Sequence, residues 1–275
     1  MANEPAQRTI DDEKFGSTPE FFEYYARESL SEETLQRFGI VKGKIERLLG
    51  DDIDRTSLHV LDVGCGAGTQ AQMWATDGYR VSAIDINGPL VELGRQRAAE
   101  AGLDIAFEVG SADQLPFADA SFDVCLVPEL LEHVRDWESC LNELERVTRP
   151  GGILYLSTTN YLCPRQEEYT LPMYSWYPPP LKRRYERLAV TTRPEIVNHA
   201  TFPAVNWFSP YSLARALKRR GFRALDRFDL IDVDDQSRLG RAATNVVRHV
   251  PPARVLAHCM SPYSVAFGIK DLPKP

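Results

Sequence analysis

No run of apolar residues in this chain approaches the roughly 20 needed to cross a bilayer. The opening residues, Met1-Ala-Asn-Glu-Pro5, carry neither the basic end nor the apolar core of a secretory signal. Spanning segments and export are therefore not expected, although peripheral contact with a membrane surface stays open. Positive charge is also in short supply, with 32 Lys and Arg against 39 Asp and Glu and a net charge of −7. Nucleic-acid binders usually show a basic balance or stripe, so DNA and RNA are not expected partners. The five cysteines are scattered and form no C-x-x-C. That pattern reads as reduced thiols in a cytoplasmic protein, not as a disulfide frame or a zinc site. Internal repeats and low-complexity tracts are missing too. The 275 residues, 43% hydrophobic and 26% charged, suffice for one large α/β core with a small appended cap.

The most informative stretch is His59-Val-Leu-Asp-Val-Gly-Cys-Gly-Ala-Gly-Thr69. An apolar run ending in alternating glycines reads as a buried parallel strand turning sharply into a helix. Glycine permits positive φ and close approach of the backbone to a ligand. Asp62 lies just before the turn, where a carboxylate can hold a cation. A second acid, Asp85, ends the next apolar strand, Val81-Ser-Ala-Ile-Asp85, and is placed to accept both hydroxyls of a ribose. The glycines run G-x-G-x-G, not the G-x-G-x-x-G of a dinucleotide site, and no Gly-Lys-Ser/Thr ending marks a P-loop. An acid beside a glycine loop suits a nucleoside cofactor with a positively charged amino-acid end and no phosphate. S-adenosylmethionine meets that description.

Further segments follow in order: Gly110-Ser-Ala-Asp-Gln-Leu-Pro-Phe117, Ser121-Phe-Asp-Val124, Glu129-Leu-Leu-Glu-His-Val134 and Arg146-Val-Thr-Arg-Pro-Gly-Gly152. Together with the glycine loop, over roughly residues 58–160, they resemble the class I S-adenosylmethionine-dependent methyltransferases. The nearest likeness is to the small-molecule and ubiquinone-biosynthesis O-methyltransferases. The resemblance implies a Rossmann-like, doubly wound sheet of seven strands with the last antiparallel. It also implies N-terminal helices and an inserted aromatic lid.

Four regions are expected. Residues 1–50 form an N-terminal helical cap, with Thr18 and Pro19 opening a helix rich in aromatics and a second helix near Glu32–Leu49. Residues 51–159 form the cofactor-binding core, with strands near 58–63, 80–85, 104–109, 122–127 and 152–158 and helices near 68–77, 88–101 and 136–147. Residues 160–208 hold many prolines (Pro164, Pro172, Pro178–Pro180, Pro194 and Pro203) among tyrosines and tryptophans. Such a segment excludes a long regular helix or a central strand, and reads as an ordered lid over the acceptor. Residues 209–275 complete the sheet, with a helix opened by Ser209-Pro210, a strand near Phe222–Leu230 and a final strand Tyr263–Lys270. Residues 232–262 read as an acidic and then basic connection without a functional handle.

By resemblance, Asp62 and the backbone of Gly64, Cys65 and Gly66 surround the methionine end of the cofactor. Asp85 takes the ribose, Ile86 lies against the adenine, and Ala112 and Asp113 reach the adenine edge. Ser111 stands where the family usually has an aspartate, so any contact there is neutral and weaker. Val127 and Pro128 close the fourth strand beside the transferring methyl. Tyr161, His199 and Trp207 of the lid are candidate acceptor contacts. His133 is the candidate base, with an unperturbed pKa of roughly 6.5 that suits proton acceptance near neutrality, and Glu129 stands beside it. Glu129, Glu132 and His133 form E-x-x-E-H, which resembles a metal motif proposed for ubiquinone O-methyltransferases and would admit Mg²⁺. The expected function is methyl transfer from S-adenosylmethionine to a hydroxyl of a small molecule. N- or C-methylation and a non-catalytic, cofactor-binding regulator are the alternatives.

Overall fold

The computed structural model describes residues 19–50, 54–197, 204–233 and 236–272. Two helices, α1 (Pro19–Glu28) and α2 (Glu32–Leu49), precede the sheet. Ser31 caps α2 by accepting from the Thr34 amide. Strands and helices then alternate as β1 (His59–Val63), α3 (Thr69–Thr76), β2 (Arg80–Asp85), α4 (Gly88–Glu100), β3 (Ile105–Val109), β4 (Phe122–Pro128), α5 (Trp137–Val147) and β5 (Thr148–Thr159). A lid follows with α6 (Pro179–Ala189). The chain closes through α7 (Pro210–Arg219), β6 (Phe222–Asp226), α8 (Arg238–His249), α9 (Pro251–Cys259) and β7 (Tyr263–Lys270).

The seven strands form one sheet in the order β3-β2-β1-β4-β5-β7-β6. Only β7 is antiparallel to its neighbours. Short apolar strands joined by helices have no other way to bury both faces. Alternation divides the core accordingly. Leu61, Val63, Cys125 and Val127 face the layer of α5 and α7, whereas Val60, Val124 and Leu126 face the layer of α2, α3 and α4. Reversal of strand order beside β1 opens a crevice at the carboxyl ends of β1 and β4, where such sheets bind ligands. No helix among the described residues is long and apolar enough to cross a membrane.

Four details depart from the sequence reading. β5 begins at Thr148, directly after α5, because Thr148 pairs with Phe122 before an irregularity that shifts the register by Val124. β6 stops at Asp226 and not near Leu230. There the Asp226 carboxylate accepts from the Phe228 amide and the Asp229 carboxylate accepts from the Asp226 amide, which turns the chain away from β7. The prolines of the lid do not prevent the 11-residue α6, because Pro179 and Pro180 occupy its first turn, where no amide partner is lost. Residues 232–262 contain two helices where a connection was expected.

Helices α3 and α4 approach β3 closely through glycine. A Cβ on Gly94 would stand 2.9 Å from Phe107 Cε1 and 3.2 Å from the Ala67 backbone, whereas one on Gly39, within α2, meets nothing within 4 Å. Gly94→Ala is expected to lower stability by about 1–3 kcal/mol through overpacking. Gly39→Ala should raise it by about 0.5–1 kcal/mol through helix propensity. Urea unfolding of the two variants checks both signs.

Candidate active site

The glycine loop between β1 and α3 is built so that its own amides are already engaged. Gly64 and Cys65 both donate to the Ile84 carbonyl at 2.8 and 3.1 Å, and Gly68 donates to the Cys65 carbonyl at 2.8 Å. The Gly66 amide donates to Asp85 Oδ2 at 2.8 Å. Positive φ at Gly64, Gly66 and Gly68 makes these bonds reachable. A phosphate-binding loop points free amides at its ligand, and this loop does the reverse. What it leaves for a ligand are carboxylates and carbonyls, which match an ammonium and hydroxyls, not a pyrophosphate.

Asp62, 1% exposed, has no hydrogen-bond partner on either carboxylate oxygen. Burial, reinforced by the charge of Asp85, pushes its pKa up to about 7. Thr69 and Gln70, at the start of α3, are also buried with unpartnered polar atoms. Such groups are costly unless a ligand satisfies them. They were missed in the sequence, although their place immediately after the last glycine was a signal. Asp85 bridges the amides of Gly66 and Asn87, both at 2.8 Å. Each of its oxygens keeps a lone pair, so the ribose role is compatible with the bridge. Burial pushes Asp85 upward, opposed by these amides.

The remaining cofactor candidates divide by exposure. Ile86 is 38% exposed and offers an open apolar face. Ser111 is half-buried and Asp113 exposed. Ala112 and Val127 are buried in the core, and Val127, with no exposed surface, offers a ligand no side-chain face. Burial drives the Cys65 thiol well above its ordinary range, so it is not a nucleophile.

At the end of β4 the chain turns through Glu129–Val134 without forming a helix. Glu129 takes φ +49, a left-handed conformation that a non-glycine residue adopts at a cost, while its amide donates to the Ser157 carbonyl at 2.8 Å. Its carboxylate pairs with Arg37 of α2. The grouping of Glu129, Glu132 and His133 is therefore not the one formed. Glu168 from the lid replaces Glu129, and among the described residues the ligand atoms of Glu132, His133 and Glu168 lie within 4.8 Å of one another. Glu132 has no exposed surface, accepts from Thr158 Oγ1 at 2.8 Å, and leaves Oε1 unpartnered. Burial, with Glu168 nearby, drives its pKa well above the carboxylate range. Glu168, 3.9 Å from His133 Nε2, is pushed up to about 7 by burial and by Glu129 and Glu167.

The lid aromatics mostly pack on each other. Tyr169 and Tyr174 stack at 3.8 Å, and Trp207 meets Tyr174 at 5.5 Å with Lys182 over its indole at 4.0 Å. Trp207 thus packs against the lid's own core and, half-buried, also lines a cavity with Trp137, Asn206 and Phe208. Tyr161, 41% exposed, and Pro128, half-buried, stay available. His199 lies outside the described residues. Asn206 turns inward and donates to the Leu131 and Val134 carbonyls, which holds the Glu132–His133 turn in place.

This sheet order, with a glycine loop whose Gly64, Cys65, Gly66 and Gly68 amides are engaged internally and with acids at the ends of β1 and β2, defines the class I methyltransferase architecture. Residues 61–156 match the family described as Methyltransferase domain. Over those residues the chain carries a methyltransferase domain of the class I kind, whose cofactor is S-adenosylmethionine. It is 37% identical over 113 residues to a malonyl-(acyl-carrier protein) O-methyltransferase of Serratia marcescens, covering 41% of this chain and 43% of the relative. It is 36% identical over 129 residues to a ubiquinone biosynthesis O-methyltransferase of Caulobacter vibrioides, covering 44% and 50%. The chain thus spans half or less of the length of these two relatives. In fold it resembles the YcgJ protein of Bacillus subtilis (TM-score 0.54, 20% identity, 86% and 98% covered). It likewise resembles the cyclase SpnF (TM-score 0.54, 18% identity, 89% and 84% covered).

The orphaned Asp62 carboxylate fits the ammonium of the cofactor's amino-acid end, and the bridged Asp85 fits its ribose. Asp62 binds its proton more tightly in the folded than in the unfolded chain. Its contribution to stability is therefore fully present below about pH 4 and is lost as pH rises through about 7. Asp62→Asn should accordingly leave the thermal midpoint at pH 8 unchanged or higher. The same variant should weaken S-adenosylmethionine binding by about tenfold or more. Calorimetric titration beside a melting curve reads both. Wild-type binding at pH 6 should release a proton, seen as a dependence of the heat on buffer ionisation.

Proposed function

We propose that the chain methylates a hydroxyl of a small-molecule acceptor, using S-adenosylmethionine. The observation that carries this reading is the Glu132–His133–Glu168 cluster at the carboxyl end of β4. A hydroxyl must lose its proton as it attacks carbon, whereas an amine needs less help. When bound, the cofactor supplies an electrophilic methyl on a sulfonium leaving group. The acceptor oxygen forms the new bond to that carbon as the carbon–sulfur bond breaks, and alignment and exclusion of water supply much of the acceleration. His133 takes the acceptor proton, and the Glu168 carboxylate beside it stabilises the imidazolium that results. Glu132, kept protonated by burial and fixed by Thr158, holds the turn and donates from its free oxygen. The exposed Tyr161 and the half-buried Pro128 form part of the acceptor's surroundings. The O-methyltransferases to which the core is similar support the choice of oxygen.

A second reading is favoured by the same three residues. Two carboxylates and an imidazole suit a divalent ion such as Mg²⁺, which would lower the pKa of a bound hydroxyl. On that reading Glu132, His133 and Glu168 hold the ion.

His133→Ala is expected to reduce turnover by about 10²–10⁴-fold while leaving cofactor affinity unchanged. Release of S-adenosylhomocysteine against a panel of phenolic and other hydroxyl acceptors measures it, and full turnover in the variant would overturn the hydroxyl reading. Because Glu168 protonates as pH falls through about 7, wild-type activity should decline there, and Glu168→Gln should remove the Glu168 part of that decline while the protonation of the base itself remains. Activity abolished by a chelator and restored by Mg²⁺ would favour the metal reading over the base. A folded protein that binds the cofactor and releases no product with any acceptor would instead be a regulator.

A further inference from the structure

Helices α8 and α9 reverse the usual amphipathic arrangement. Their inward contacts are largely polar. Arg248 donates to the carbonyls of Phe228, Asp229 and Ile231. Arg254 pairs with Asp226 and Asp229, both at 2.7 Å, and buried His258 meets Asp226 at 2.9 Å. Asn160, just past the end of β5, donates to the carbonyls of His258 and Ser261, so the hairpin is fixed at the ligand-binding end of the sheet. Its apolar side chains point to solvent instead. Leu239 is 83% exposed, Leu256 65% and Met260 79%, with Val246, Val250 and Val255 also exposed. Leu239, Ala243, Val246 and Val250 recur at the three- and four-residue spacing of one helical stripe.

Charge selects the occupant. From Gln236 to Met260 there is no aspartate or glutamate, in a chain whose net charge is −7. Arg238 and His249 are exposed beside the apolar stripe, and Arg241 is exposed further round the helix. A second copy meeting this face by two-fold symmetry would set arginines against arginines. An anionic bilayer surface instead offers apolar depth for the leucines and negative headgroups for the arginines.

We propose that the α8–α9 hairpin is an interfacial membrane anchor that docks on anionic lipid. The test is co-sedimentation of the full chain with phosphatidylcholine vesicles and with vesicles containing phosphatidylglycerol. Binding is expected only to the latter and should weaken as salt is raised. Leu239→Asp with Leu256→Asp should reduce it by about tenfold or more. Arg238→Glu with Arg241→Glu should reduce it similarly. Melting temperature and S-adenosylmethionine affinity should stay unchanged, since none of these four residues belongs to the core or the site. Three results would overturn the proposal: no binding to anionic vesicles, binding indifferent to the leucine pair, or a wild-type dimer in light scattering that the leucine pair dissociates. The last would show a second copy on this face.

Discussion

The bridge that Asp85 makes between the amides of Gly66 and Asn87 orders everything at the cofactor end of the sheet. One carboxylate holds the glycine loop at the end of β1 and the first residues toward α4 at the end of β2. Without it, the Gly66 amide and the Asn87 amide would each need another acceptor at a point where the backbone has none. With it, the amides of Gly64, Cys65, Gly66 and Gly68 are all engaged within the protein. The choice between a phosphate-bearing and a sulfonium-bearing cofactor therefore follows from hydrogen-bond direction as well as from glycine spacing.

Against that ordered frame stand groups left unsatisfied: both oxygens of Asp62, the side chains of Thr69 and Gln70, and one oxygen of Glu132. A folded chain rarely keeps such groups in its interior without a ligand or water to pair them. These four residues fall in two places, the first turn of α3 with its preceding strand and the turn after β4, while other unpaired atoms belong to Trp207, Arg227, His258 and Ser264. The strained backbone of Glu129 and its ion pair with Arg37 tie α2 to the turn after β4.

The sequence made the sheet legible because its strands are apolar on both faces and its turns are marked by glycine and acid. Asp62 and Asp85 were legible for the same reason, each lying at a strand end fixed by local pattern. Glu168 was not, since nothing local distinguishes it from Glu167. Only the path of the lid brings it to His133. Helices α8 and α9 were missed because their polar residues point inward and their apolar residues outward. The inward contacts depend on Asp226 and on backbone carbonyls far away in sequence. Ser237 as a cap and Pro251-Pro252 at a first turn were the local signs.

Acidity at this crevice is a liability as well as a means of binding. A sulfonium loses its positive charge as its methyl departs, so ionised carboxylates favour the bound cofactor over the transition state and slow the transfer. Burial counteracts this by holding Asp62 and Glu168 near 7 and Glu132 higher still, so that only part of the cluster is charged at neutrality. The ammonium of the cofactor would recover the charge of Asp62 where it anchors, at the amino-acid end. On the acceptor side, the proton taken from a hydroxyl would meet a histidine beside a carboxylate able to change its own state. The same desolvation that makes these acids expensive to bury thus separates binding charge from reacting charge within one crevice.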